Sequence, residues 1–98
     1  MKTSRRKKVA LEFAKTKQDA RDLIEETSVM LQDFPGFSQW AIIMVVRSAR
    51  QHIGRLKRWR LEFGTHLREC GRFEKVLTKN VRRLRRQLVE LEERRKLQ

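Results

Sequence analysis

Six basic residues, Arg68, Arg72, Lys75, Lys79, Arg82 and Arg86, follow one another at steps of four, three, four, three and four. Those steps hold a single face of a helix. The run covers about 27 Å at 1.5 Å per residue, and Arg83 and Arg85 thicken it. A second group lies upstream: Arg47, Arg50, Arg55, Lys57, Arg58 and Arg60. Between residues 47 and 86 there are 14 bases and three acids (Glu62, Glu69 and Glu74), a net +11 of the chain's formal +13. An ordinary solvated helix face mixes signs. Here like charges stand four residues apart, which destabilises an isolated helix by about 0.2–0.5 kcal/mol per pair. A polyanion would remove that repulsion.

The chemistry this pattern suits is phosphate recognition. Arginine outnumbers lysine, 16 to 9, and its planar fork of donors fits a phosphate. Successive turns of a helix, about 5.4 Å apart, bring the charges near the spacing of phosphates along a strand. The expected contact residues are Arg47, Arg50, Lys57, Arg58, Arg68, Arg72, Lys75, Lys79, Arg82, Arg83 and Arg86. Sequence-specific reading is not expected. The only Asn is Asn80, and no helix-turn-helix spacing, zinc-finger pattern or strand-borne RNA motif is present. Single-strand binders stack bases on exposed aromatics. Trp59, between Arg58 and Arg60, is the one aromatic placed for that, and packing accounts for it better. Duplex binding, double-stranded RNA ahead of DNA, is therefore the expectation, by shape and phosphates and not by base edges.

Catalysis finds little footing, and no catalytic residue, metal or cofactor is expected. His52 and His66 stand 14 residues apart, about 21 Å along a continuous helix. His66 and Cys70 have the i, i+4 spacing of metal ligands, but two ligands do not close a zinc site. Cys70 falls on an apolar line, where a thiol is inert. Asp19, Asp22, Glu25 and Glu26 read as a solvated acidic face or as counter-charge for the basic helices.

The elements that carry these residues read as all-α. Asp33-Phe34-Pro35-Gly36-Phe37-Ser38 is turn chemistry, with Ser38 placed to cap the helix that follows. Before it, Val9, Phe13, Thr16, Ala20, Leu23, Thr27 and Met30 form a narrow helical face. After it, Ile42, Val46, Ala49, Ile53, Leu56, Arg60, Phe63, Leu67, Cys70, Glu74, Leu77, Val81, Leu84, Leu88 and Leu91 keep a seven-residue repeat. Such a seam argues for coiled-coil-like packing of long helices. The spacing predicts one domain, residues 1–98, with helices over about 4–32, 38–70 and 72–96. Gly71 marks a break at 70–71; a single bent second helix is the alternative. The result is a helical hairpin plus a long basic C-terminal helix.

A chain of 98 residues spread over long helices buries little by itself. The stretch Trp40 to Val46 is apolar on every side, and a partner chain would cover what helix 1 cannot. A homodimer built on Ile42, Val46, Ile53, Leu56, Phe63, Leu67, Leu77, Val81, Leu84 and Leu88 is the expectation. The longest apolar run falls far short of the roughly 20 residues of a membrane span. Glu12 and Lys15 interrupt any signal-peptide core after Arg5-Arg6-Lys7-Lys8. One Cys suits a reducing compartment, cytoplasmic or nuclear and not secreted.

Two long helices joined at Gln32-Asp33-Phe34-Pro35 in a small basic protein resemble the layout of the nodavirus silencing suppressors. The resemblance implies a dimeric helical binder of double-stranded RNA with a viral accessory role, and it carries over no functional residue. Two other classes fit parts of the pattern. One is an adaptor that grips an acidic partner protein through the basic stripe. The other is a peripheral membrane binder, disfavoured because the apolar seam and the basic stripe lie about 200° apart on the helix.

Overall fold

The computed structural model describes residues 2–63 and 68–97, with side chains from Arg6 onward. It contains three long helices, α1 (Lys2–Gln32), α2 (Gln39–Phe63) and α3 (Arg68–Leu97), and no strand among the described residues. A 3-10 turn, Phe34–Gly36, joins the first two. The Asp33 amide donates to Val29 O at 3.1 Å and closes α1; the Gly36 amide then donates to Asp33 O at 3.0 Å. A side chain at Gly36 would meet the Asp33 carboxylate, the end of an exposed side chain that would have to swing aside. Ser38 caps α2 as its position predicts: the Ala41 amide donates to Ser38 Oγ at 3.1 Å.

The three helices pack against one another along their apolar faces. Arg95 Nη1 donates to Gln39 Oε1 at 2.7 Å, and Arg60 Nε donates to Glu74 Oε2 at 3.0 Å. Those two ties set α2 and α3 antiparallel. On α1, Ile24, Thr27 and Ser28 meet Asn80, and Lys17 meets Glu69, so α1 runs parallel to α3. The long helices are staggered, and the molecule is a rod of 63 × 20 × 18 Å.

Its core is the seven-residue seam folded back on itself. Met30, Ile42, Val46, Ala49, Leu77, Val81 and Leu84 form one buried cluster. Ala20, Leu56 and Cys70 form a second, flanked by Phe13, Trp59 and Phe73. Leu56, Leu77 and Leu84 are fully buried, and each contributes about 1.5–3 kcal/mol by leaving water. The two charges that interrupt the seam, Arg60 and Glu74, are each other's ion-pair partners at 3.0 Å. Each stands where an apolar residue is due, and their mutual contact is what makes both tolerable at the edge of the core.

Two expectations are corrected. The predicted break at 70–71 is not there: Gly71 lies inside α3, and α2 ends at Phe63. A helical glycine costs about 1 kcal/mol, and the burial of Cys70 beside it offsets that cost. Periodicity cannot tell one long helix from two antiparallel ones when the seam resumes in phase after the connection. The predicted oligomer seam is also misassigned. Ile42, Val46, Leu56, Leu77, Val81 and Leu84 are buried inside a single chain, and Ile53 and Leu88 pack against the same cluster. Phe63 stacks on Trp59, ring centroids 4.9 Å apart. The buried members need no second copy to cover them, because α2 and α3 cover each other and α1 closes the third side; Phe63 keeps 39% of its surface exposed. Leu67, the remaining member, falls outside the described residues, as does His66 of the proposed ligand pair.

Among the described residues three polar side chains, Thr27, His52 and Asn80, are buried, and each is hydrogen-bonded; the Oε1 of half-buried Gln87 has no partner. Asn80 Nδ2 donates to Thr27 Oγ1 at 2.9 Å and to Ser28 Oγ at 3.1 Å. Thr27 Oγ1 donates to Leu23 O at 2.7 Å. His52 Nε2 lies 2.9 Å from Thr16 O; a carbonyl only accepts, so this nitrogen carries the proton. These contacts fix the register of α1 against α2 and α3.

Candidate nucleic-acid interface

Helix α3 turns three different faces to its surroundings. Glu69, Phe73 and Asn80 point to α1, and Glu74 points to α2. At about 100° per residue the remaining face belongs to Arg68, Arg72, Lys75, Lys79, Arg82, Arg83 and Arg86. All seven are exposed, and so are Arg47, Arg50, Lys57 and Arg58 on α2. Lys75, Lys79, Arg82, Arg83 and Arg86 line one shallow groove with Glu74 and Thr78. Arg47 and Arg50 line a second groove, between α2 and α3, together with Arg85, Ile43 and Leu88.

Arg85 joins the two groups. It follows Arg82 by one helical turn and meets Arg47 and Arg50 across the interhelical groove. The sequence pattern placed Arg85 only as a thickening of the stripe, because its partners lie on another helix 35 to 38 residues away. Along α2 the spacing Arg47, Arg50, Gly54, Lys57 keeps one face. Added atoms at Gly54 would meet nothing within 4 Å, so the helix surface is low between two bases.

Among the described residues the basic side chains of this face form no ion pair. The ion pairs among the described residues are Lys17–Glu69, Arg21–Glu69 and Arg60–Glu74. None involves any of the eleven predicted contact residues. Arg60, part of the upstream basic group, is thus taken by Glu74. Asp22 accepts from Gln18 Nε2 at 3.0 Å, and among the described residues Asp19, Glu25 and Glu26 form no ion pair with the basic helices. Residues 18–33 hold five acids and one base, so charge is polarised from the C-terminal half of α1 to the α2–α3 side. Such a field steers polyanions toward one side of the rod.

No protein-family model, curated protein or solved structure matches this chain. The site rests on its own geometry.

Other candidate chemistry is placed as follows. Trp59 packs at the end of the bundle between Phe63 and Phe13, the latter at 5.4 Å, and is not laid open as a stacking platform. Cys70 is fully buried. Burial pushes its thiol above the usual 9.0; Lys17 opposes the shift, and Glu69 and Glu74 add to it. Among the described residues no three His, Cys, Asp or Glu side chains gather as metal ligands. No described helix is long and apolar enough to cross a membrane.

Proposed function

We propose that this protein binds duplex nucleic acid through the phosphate backbone, without sequence preference, using the basic face of α2 and α3. Double-stranded RNA is the favoured substrate and double-stranded DNA the second. The observation that carries the reading is the exposure, with no ion pair among the described residues, of Arg68, Arg72, Lys75, Lys79, Arg82, Arg83 and Arg86 along one side of a helix. A helix held straight by two neighbours keeps these charges in line before the ligand arrives. Little ordering is then needed on binding, which favours affinity.

Arg47, Arg50 and Arg85 widen the face across the α2–α3 groove, so that two phosphate rows can be met at once. The shape of an A-form minor groove, wide and shallow with 2′-hydroxyls on display, suits a flat helical face more than a B-form major groove suits it. The bundle offers no single helix projecting from its neighbours to enter a deep groove.

The test is a substitution pair read by salt titration. Arg82→Gln should weaken binding to every duplex by a similar factor and lower the slope of log K against log salt by roughly one unit. Folding should be unchanged, since a like charge is removed. Arg94→Gln with Arg95→Gln should matter less: Arg95 is tied to Gln39, and Glu90, Glu92 and Glu93 immediately precede the pair in sequence. If Arg82→Gln has no effect while the paired change abolishes binding, the proposed face is wrong. If the protein binds no duplex but retains an acidic protein, the adaptor reading replaces this one.

A further inference from the structure

The exposed large apolar residues are mostly scattered singly, as on any soluble surface. Three are not. Trp40, Ile43 and Met44 fall within five residues at the start of α2, with 71%, 40% and 38% of their surface exposed. They share the outward side of α2 with the next turns, Arg47, Arg50, Gln51, Gly54 and Arg58. From Gln39 to Leu61 α2 contains no acid. Ile43 lies in the same groove as Arg47, Arg50 and Arg85, so apolar and cationic groups adjoin on the folded surface.

This juxtaposition is invisible in the seam pattern. There the apolar line and the basic stripe lie on opposite sides of the helix. The folded chain buries that line and leaves a second apolar group on the basic side. Phosphates do not reward the burial of an indole, an isoleucine and a methionine. Two copies meeting at this patch about a two-fold axis would press Arg47 and Arg50 toward their own equivalents. The occupant with the matching chemistry has an anionic surface over an apolar interior.

We propose that the start of α2 is a docking surface for an anionic lipid bilayer. Trp40, Ile43 and Met44 enter the interfacial layer, and Arg47, Arg50 and Arg85 contact headgroup phosphates and carboxylates. Tryptophan favours that depth because its ring is apolar and its N–H stays hydrated. The cations add attraction to the negative surface. The mode is peripheral: an apolar patch of this size anchors reversibly. Arg47, Arg50 and Arg85 are shared with the proposed phosphate-binding face, whereas Trp40, Ile43 and Met44 have no part in it, so the two readings are separated by changes at the apolar residues.

The full-length chain is mixed with sucrose-loaded vesicles of phosphatidylcholine containing 30% phosphatidylserine, or of phosphatidylcholine alone, in 0.15 M salt (roughly an 8 Å screening length), and sedimented. The expected result is binding to the serine-containing vesicles only, weakened roughly tenfold or more by Trp40→Ala, with duplex binding by that variant unchanged. Trp59→Phe leaves Trp40 as the sole indole, and its emission should shift to the blue on adding the anionic vesicles. Three results would overturn the proposal. One is equal vesicle binding by wild type and Trp40→Ala, which leaves only a diffuse basic attraction. Another is a blue-shifted Trp40 without lipid together with a doubled mass, which gives the patch to a second copy. The third is a loss of duplex affinity in Trp40→Ala, which gives it to the nucleic acid.

Discussion

Replacing Leu84 by Ala tests whether the long apolar seam is the inside of one chain. Leu84 is fully buried and sits among Met30, Ile42, Val46, Ala49, Leu77 and Val81, contributed by all three helices. Removing its three outer carbons forfeits their transfer from water and leaves a cavity that three braced helices cannot close. Such changes cost about 2–5 kcal/mol, and bracing from three sides puts Leu84 near 3–4 kcal/mol. For a domain of this size 1 kcal/mol corresponds to roughly 4–8 °C, so the melting temperature should fall by about 15–25 °C. The assay is thermal denaturation followed by helical circular dichroism, at two protein concentrations a hundredfold apart. Within one chain the midpoint is independent of concentration; at a subunit interface it is not. Leu97, 89% exposed, is the control, and its change to Ala should cost less than about 0.5 kcal/mol. A Leu84→Ala midpoint within 3 °C of wild type would refute the packing described here. A wild-type midpoint that climbs with concentration would return the seam to an oligomer.

Further outcomes follow from other contacts. Glu74→Gln should release Arg60 from its 3.0 Å partner and remove the acid that lines the basic groove; duplex affinity should rise and the salt slope steepen, as read by the same titration, and a weaker affinity would mean that Arg60 must be held. Gly54→Ala meets open space and should stabilise α2 by about 0.5–1 kcal/mol in denaturant melts; a loss of stability would show that the helix surface there is not free. The Cys70 thiol, buried and pushed above its usual 9.0, should resist a maleimide in the folded state and react on unfolding. Its folded form holds a proton that the unfolded form releases, so this group contributes a loss of stability as pH rises past the unfolded value near 9.0. Rapid labelling at neutral pH without unfolding would contradict its burial.

How much was readable from the sequence depended on whether the signal was local. The all-α class, the Pro35-Gly36 turn and the Ser38 cap are set by neighbouring residues, and the structure has each of them. The helical phase was readable too, which is why every basic residue expected to face outward does so. The hairpin between α2 and α3 was not, because Phe63 and Cys70 keep the seven-residue phase on either side of it. The expectation that the seam is a subunit interface has the same origin: a seam of about 74 Å along one helix needs an outside partner, whereas the same seam folded in two covers most of itself. Arg60 and Glu74 held the clue, two opposite charges interrupting the seam 14 residues apart. Arg85 and the patch at Trp40 were invisible for a similar reason, since each acquires its meaning only when α2 lies beside α3. Val9, which the pattern put on the inner face of α1, is exposed, because the helix extends past the end of the bundle there.

The most direct test of the phosphate-binding face is equilibrium binding of the wild-type chain to double-stranded RNA, double-stranded DNA and single-stranded RNA of equal length across a salt series. With about five to seven phosphates met by the α3 stripe and its α2 flank, log K should fall linearly against log salt with a slope of about −4.5 to −6.3 on duplex DNA. Double-stranded RNA should bind at least as tightly, single strands more weakly, and the sequence of the duplex should make no difference. Binding that is insensitive to salt, confined to one sequence or absent from every duplex would contradict the claim.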